Sequence, residues 1–490
     1  MLNRRHIVII TRELVPYHYG GIGTLFMSIA NLFCGAGHSV SLLTTVPETF
    51  DEHEFQLHYG DVRLVPVAAG DAADFVDYSP SGGVISTFAL HYAFSVAETF
   101  CRNFSEDPPD IVVSADFGAE AVILMMRHAR QVFARTCFVL HLSGGLRDAL
   151  EVYHSGQQED GYNALNEPRN KLVCSLEDTC FHLADMIIAP SNIAWQSVRS
   201  RLRVSNDKVR IIPNLLAPDY VKRTPPIGAA DDRYILFVGR LDRHKGADLL
   251  LEAYLCYCAR YANPAPLIMV GRDCHCLAYG RTFLEEWRER IPPEHRGRIT
   301  FTGQIDHTEV RTYFQGASVC LFPSRWEVFG IVCLEAMVYG VPVLVNEGTG
   351  LAGLLGDEFS DYIFNFEHDY DAVAEKLHEL LNGSGDPRTR GKRFQKRGLE
   401  IVSQGESEYL HLLDNCIKKL GKEDGKAALQ TLDNSLEWLE IVTNISRYLS
   451  KDYQAVTRGL GVSEELATSI VREKRHNAVS LVRMITRFFQ

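Results

Sequence analysis

Ser324-Arg325-Trp326-Glu327-Val328-Phe329-Gly330 joins two kinds of sequence. Before it, Val319 to Pro323 is a short, nearly continuous apolar run, which predicts a strand covered on both faces. After it the chain enters a predicted helix that carries Glu335 beside Val332, Leu334 and Met337. A strand handed to a helix through a glycine turn is the repeating unit of a parallel α/β sheet.

The same unit recurs on both sides of that stretch. Towards the N-terminus of this half, the spacing predicts strands at Tyr234 to Gly239, Leu267 to Gly271 and Ile299 to Gly303. Helices are expected between them, running to Arg260, from Thr282 to Arg290 and from Thr308 to Gly316; Val343 to Asn346 follows as a further strand. The first half of the chain has the same rhythm, with strands at His6 to Thr11, Ser39 to Thr45, Asp110 to Ala115, Cys137 to Leu142, Met186 to Ala189 and Val209 to Ile212, and a helix from about Gly23. Between the halves, Ala217 to Arg233 carries Pro218, Pro225-Pro226 and Gly228, a composition suited to a linker. The expected fold is α/β, two Rossmann-like doubly wound parallel-sheet domains facing across a cleft. We expect a first domain over 1–217, a linker at 218–233, a second domain over 234–395, helices returning toward the first domain over 396–420, and a helical extension over 421–490. In open parallel sheets ligands sit at the carboxyl ends of the strands, so the chemistry belongs in the cleft.

Bulk properties agree with a multi-domain enzyme. The chain has 490 residues, 46% apolar and 23% charged, with no internal repeat. A net charge of −12 makes nucleic acid a poor partner. Basic Arg4-Arg5 precedes an apolar run, but Ile7 to Ile10 is too short for a signal-peptide core. No run of about eighteen apolar residues follows anywhere, and a soluble, cytoplasmic protein is expected. The twelve cysteines are scattered through apolar runs and read as reduced, buried thiols. Cys256 and Cys258 fall two apart in a helix, too divergent to share a metal ion, and Cys274/His275/Cys276 is the remaining metal candidate. We expect no metal and no cofactor. Asp369-Tyr370-Asp371 precedes a helical run and is read as its cap.

Two segments carry chemistry. Gly239-Arg240-Leu241-Asp242-Arg243-His244-Lys245-Gly246 ends a strand with two cations, Arg240 and Lys245, positioned for phosphate oxygens or for nearby carboxylates. In the opening stretch, Gly330 removes a side chain where an anion approaches the helix N–H groups. Glu327 and Glu335 are acceptors for hydroxyl pairs. Their separation along the chain is on the order of 12 Å at most, comparable with the distance from hexose to ribose in a nucleotide sugar.

Four motifs in order then resemble the family 4 retaining glycosyltransferases of the GT-B type (glycosyl transferases group 1). They are Gly20-Gly21-Ile22-Gly23 after the first strand, Gly239-Arg240 with Lys245-Gly246, Glu327 to Glu335 as E-x7-E, and Glu335-Ala336-Met337 leading to Gly340-Val341-Pro342. The resemblance covers roughly residues 5 to 420. It implies transfer of a hexose from a UDP- or GDP-sugar with retention of configuration. It further implies that Arg240 and Lys245 hold the donor diphosphate, that Glu335 binds the ribose diol, that Glu327 contacts a sugar hydroxyl, and that the Phe329-Gly330 backbone completes the anion site. Gly21 and Gly23 would let the first domain approach the donor phosphate, and His141 would face the transferred sugar. Departure of the nucleoside diphosphate from the front face, with the phosphate taking the acceptor proton, is the mechanism it implies.

The sequence departs from the family at Asn214-Leu215-Leu216-Ala217, where the hinge turn is altered, and at Glu347-Gly348-Thr349-Gly350-Leu351, where a Gly-Gly turn is usual. The acceptor, whether glycan, small molecule, lipid-linked or protein, is expected on the first domain, around Gly70 to Tyr92 and Arg147 to Lys171. The acidic excess from Glu48 to Asp77 disfavours anionic lipid there. A catalytically silent nucleotide-sugar binder or scaffold, and a phosphorylase or epimerase on the same fold, are the competing readings. Leu481, Met484, Ile485 and Phe488 share one side of the last predicted helix, which offers self-packing or peripheral membrane contact.

Overall fold

A computed structural model describes residues 4–18, 20–67, 85–129, 133, 135–154, 165, 168–217, 220–221, 234–274 and 281–420. Most of the expected linker, the segment 70–84, much of the 147–171 insertion, His275, Cys276 and the whole extension from 421 lie outside the described residues.

Two all-parallel sheets carry the fold. The first has seven strands in the order β3-β2-β1-β4-β5-β6-β7, with β1 His6–Ile10, β2 Ser39–Thr44, β3 Arg63–Pro66, β4 Ile111–Ala115, β5 Cys137–His141, β6 Met186–Ala189 and β7 Val209–Ile211. The second has six, in the order β10-β9-β8-β11-β12-β13, with β8 Tyr234–Val238, β9 Leu267–Val270, β10 Ile299–Gly303, β11 Ala317–Phe322, β12 Val343–Asn346 and β13 Ile363–Phe364. The expected α/β class is therefore the observed one. The central strand β1 explains its own composition: Ile7 and Ile9 enter one apolar cluster, Val8 and Ile10 another, and all four are fully buried. A strand covered by helices on both faces has no polar side to display.

Strand order reverses between β1 and β4 in the first sheet and between β8 and β11 in the second. Loops on either side of such a reversal diverge to opposite faces and leave a crevice at the carboxyl edge. The loops after β1, β4, β8 and β11 thus define where a ligand fits.

Three elements correct the sequence reading. Strands β3 and β13 were not anticipated; both are edge strands, and Arg63-Leu64-Val65-Pro66 carries an exposed Arg and a Pro that only an edge tolerates. The helices expected over 396–420 are one continuous helix that starts earlier, Pro387–Leu420, running through Gly398 and Gly405. Interior glycines weaken a helix by up to about 1 kcal/mol, but here they admit neighbours. A Cβ at Gly398 would lie 3.1 Å from Met337 Cβ in helix Ile331–Val338, and one at Gly405 would lie 2.7 Å from the Pro213 carbonyl oxygen. The helix starts on the second domain and ends on the first, where Cys416 meets Met186 of β6.

Asp369 does hold the N-cap position of helix Tyr370–Asn382, yet its side chain makes no cap bond and instead accepts from the Asn365 N–H. Among the described residues no helix is long and apolar enough to cross a membrane, and no group of three His, Cys, Asp or Glu is arranged to hold a metal ion.

Candidate active site

The crevice of the second sheet is lined by the loops after β8 and β11. The β8 loop is folded by Asp242, whose Oδ1 accepts from the Lys245 N–H at 2.7 Å while its Oδ2 pairs with Arg240 Nε at 3.0 Å. Gly246 then takes a left-handed conformation (φ 67°), and a Cβ there would stand 2.0 Å from the Pro323 carbonyl oxygen at the end of β11. Only glycine lets the two loops come this close.

That approach brings two expected site residues together. Lys245 Nζ lies 2.7 Å from Glu327 Oε1, and Ser324 Oγ donates to Glu327 Oε2 at 3.2 Å. Burial would raise the Glu327 carboxyl, but the Lys245 charge and hydrogen bond outweigh it and hold the group below its ordinary value. His244 beside them is pushed down to about 4, chiefly by burial and then by Lys245, so it is neutral at pH 7.

Arg325 locks the two loops, a role absent from the sequence reading. Its guanidinium forks onto Asp248 at 2.8 and 2.9 Å, donates to the Arg243 carbonyl at 2.7 Å and pairs with Glu367 at 2.8 Å. Its own N–H donates to the His244 carbonyl. Planar, multidentate pairing of this kind fixes geometry as well as charge.

The rest of the E-x7-E segment is strapped from below. Gly350 N–H donates to the Glu327 carbonyl and Leu351 N–H to that of Phe329, both at 2.8 Å, while Thr349 N–H goes to Asn346. The Thr349, Gly350 and Leu351 N–H groups of the altered Gly-Gly turn are thus spent on the protein's own carbonyls. Gly330 caps helix Ile331–Val338 at φ 104°, with no side chain satisfying the helix start. Glu335 sits on that helix and is 2% exposed, next to Tyr220, whose phenol is raised first by burial and then by the Glu335 charge. The spacing between the two glutamates is only half helical, because the helix begins at Ile331.

Across the cleft, Gly23, one of the two glycines expected to admit a phosphate, admits a carboxylate of the chain itself. Glu13 Oε2 accepts from Gly23 N–H at 2.6 Å at the start of helix Gly21–Gly35. A Cβ at Gly20 would overlap that carboxylate at 2.3 Å, and one at Gly23 would lie 2.9 Å from Glu13 Cβ. Nothing lies within 4 Å of the Cβ position at Gly21. Burial raises the Glu13 carboxyl, with the Gly23 N–H opposing. The signal was available in Arg12-Glu13 directly after β1.

His141 ends β5 but is fully buried. Its Nδ1 is 3.1 Å from Ser143 Oγ, its ring meets Phe26 edge-on, and burial, opposed by Asn214, lowers it to about 3. The side chain is neutral and sealed from the cleft. The loop that follows is clamped by two buried acids. Asp116 Oδ1 accepts from Ser143 N–H and Phe117 N–H, and Glu177 accepts from Gly118 and Leu146. The held loop places Gly144 (φ 98°) where a Cβ would sit 3.4 Å from both Trp326 and Val328. Ser191 Oγ completes the contact between domains by donating to the Val328 carbonyl at 2.8 Å.

Known proteins share both halves. Residues 224–397 match the family described as glycosyl transferases group 1, and residues 20–215 match the glycosyl transferase 4-like domain. An uncharacterized glycosyltransferase of Methanocaldococcus jannaschii is 27% identical over 227 residues, 44% of this chain and 56% of that protein. The chain spans about half the length of the curated relatives it matches first. The sucrose-phosphate synthase of Thermosynechococcus elongatus superposes with a TM-score of 0.60 at 22% identity, over 84% of this chain and 100% of that one. Anabaena HepE in complex with UDP-glucose gives 0.55 at 15%, over 84% and 100%. These likenesses establish the GT-B fold.

Proposed function

The chain belongs to the glycosyl transferases group 1, and on that premise we propose that it transfers a hexose from a nucleotide-sugar donor to an acceptor held by the first domain, with retention of configuration. The observation that carries this reading is the Lys245–Glu327 pair across the strand reversal of the second sheet, flanked by Arg240. Cleaving a sugar–phosphate bond builds negative charge on the departing diphosphate and positive charge on the anomeric carbon. Fixed cations stabilise the first more in the transition state than in the bound donor. In this reading Lys245 and Arg240 do that work, and Glu327, kept ionised by Lys245, accepts from sugar hydroxyls. Donor binding would then exchange the Lys245–Glu327 contact for phosphate on one partner and hydroxyl on the other.

UDP is the first donor nucleotide to test in this reading, because a protein of the same fold is seen with UDP-glucose. No metal is needed in it, since permanent side-chain charge does the neutralising. The described cysteines are free thiols, in keeping with a cytoplasmic site of action. The test is a thermal-shift panel of nucleotide sugars with and without EDTA, followed by anomer analysis of the product. Stabilisation by a UDP-sugar that survives EDTA is expected. No response to any nucleotide sugar would overturn the proposal.

A further inference from the structure

Beside the Lys245–Glu327 pair a cavity of about 490 Å³ lies between the two domains. The first domain contributes Asp148 and Glu151 from helix Leu146–His154, three residues apart and so on one face. The second contributes Arg325, Trp326, Glu347 and Glu367. Its volume falls within the range of small-molecule sites, roughly 300–1,000 Å³. Trp326 is the residue before Glu327, and its ring lies 6.4 Å from that of His244, so the cavity adjoins the donor loops.

The charge in this cavity is one-sided. Four carboxylates face a single guanidinium, and Arg325 already spends its charge on Asp248 and Glu367. Asp148 is only 6% exposed, yet its Oδ2 accepts no hydrogen bond and rests 3.6 Å from Arg201. Burial raises its carboxyl against the pull of that arginine, so the ionised form gains from any added positive partner. Glu347 gives one oxygen to the Asn365 amide, and Glu151 faces solvent. Ionised carboxylates only accept hydrogen bonds, and their summed field repels phosphate, uronate and sulfate. An aromatic face beside them favours a cation or the apolar face of a sugar ring.

We propose that this cavity is the acceptor subsite and that it takes a carbohydrate unit bearing a protonated amine. The assignment rests on the transferase reading above. The amine is held by Asp148 and Glu151 from one domain and Glu347 from the other, and the ring lies against Trp326. Binding there draws the two domains together, because the carboxylates come from both sides of the cleft and repel one another until a cation lies between them.

The test uses the full chain, at 20 mM and 300 mM salt, with three probes of equal length: a glucosamine trimer, its fully N-acetylated counterpart and a galacturonate trimer. Calorimetry is expected to show the cationic trimer binding most tightly and weakening at high salt. Glu151→Gln and Glu347→Gln should each weaken it by about five-fold, and Trp326→Ala by about ten-fold. Equal or tighter binding of the neutral or acidic trimer, or unchanged cationic binding in both Gln variants, would overturn the assignment. Stabilisation by the nucleotide-sugar panel is measured in parallel on the same samples. No response to any nucleotide sugar in the unsubstituted chain overturns the transferase reading and the acceptor role together, whereas a response without a cationic preference overturns the cavity assignment alone.

Discussion

Arg12 Nε lies 3.0 Å from Glu120 Oε1, bridging the loops after β1 and β4 across the strand reversal of the first sheet. Lys245 and Glu327 bridge the loops after β8 and β11 at the same station in the second sheet. The two pairs differ in access. Arg12 and Glu120 are 10% and 5% exposed, Lys245 and Glu327 26% and 23%. A sealed pair can hold a fold but cannot answer a ligand, whereas a quarter-open pair can trade partners.

The first prediction separates these roles. Arg12→Met leaves a buried acid without its partner and should cost about 3 kcal/mol of stability in urea denaturation, with UDP affinity unchanged in the folded fraction. Lys245→Met should lower UDP affinity or turnover by about a hundred-fold with a small change in stability. The reverse pattern would reassign the donor site to the first domain.

Arg325 should not tolerate lysine. An ammonium cannot fork onto both Asp248 oxygens while reaching the Arg243 carbonyl and Glu367. Arg325→Lys is expected to lose about 2–3 kcal/mol in chemical denaturation and to weaken UDP binding, because the β8 and β11 loops lose their common tie. Full stability and binding in this variant would show that Arg325 is dispensable.

Acids buried behind the Ser143–Leu146 loop make stability pH-dependent. Burial raises Asp116 to about 7 and Glu177 to about 8, against the backbone N–H groups that favour the ionised forms. Each native value stands above that of the unfolded chain, near about 4. The native state therefore keeps protons that the unfolded chain has released, and stability falls as pH rises through the window from about 4 to about 8. Melting temperature should decline from pH 5.5 to pH 8.5, and Glu177→Gln should flatten that slope while costing about 1–3 kcal/mol near pH 6 for the disturbed Leu146 or Gly118 bond. An unaltered slope in Glu177→Gln would exclude this acid as its source.

Gly405→Ala tests the long helix. In an ordinary helix this change stabilises by up to about 1 kcal/mol. Here the new methyl would sit 2.7 Å from a backbone oxygen of Pro213, so a loss of about 1–3 kcal/mol is expected from thermal or urea unfolding. A gain would mean that the helix and the hinge segment are not in contact.

What the sequence disclosed and what it withheld divide along physical lines. Central strands such as β1 are buried on both faces, so their composition alone announces them. Edge strands β3 and β13 have one neighbour each and carry no such signature. Glycines that break helices locally became, at 398 and 405, sites of close packing, because the helix is held by tertiary contact rather than by propensity. Motif order pointed to Arg240, Lys245 and Glu327, which the fold places around one crevice. It gave no hint of Arg325, Asp116 or Glu177, since each acts through partners 27 to 77 residues away. Glu13 was visible but unread: three residues past a strand end, an acid is usually solvated, and only the folded glycine turn draws it onto the Gly23 N–H.

Helix Pro387–Leu420 leans on helix Ile331–Val338 at Gly398 and on the hinge segment at Gly405, about 10 Å further along its axis. One stiff rod is therefore riveted to both halves of the molecule at two closely spaced points. Along that seam the domains cannot part without bending the rod or stripping a rivet. The cleft behaves as a book bound along this spine, and sugar and product pass only over its unbound margins.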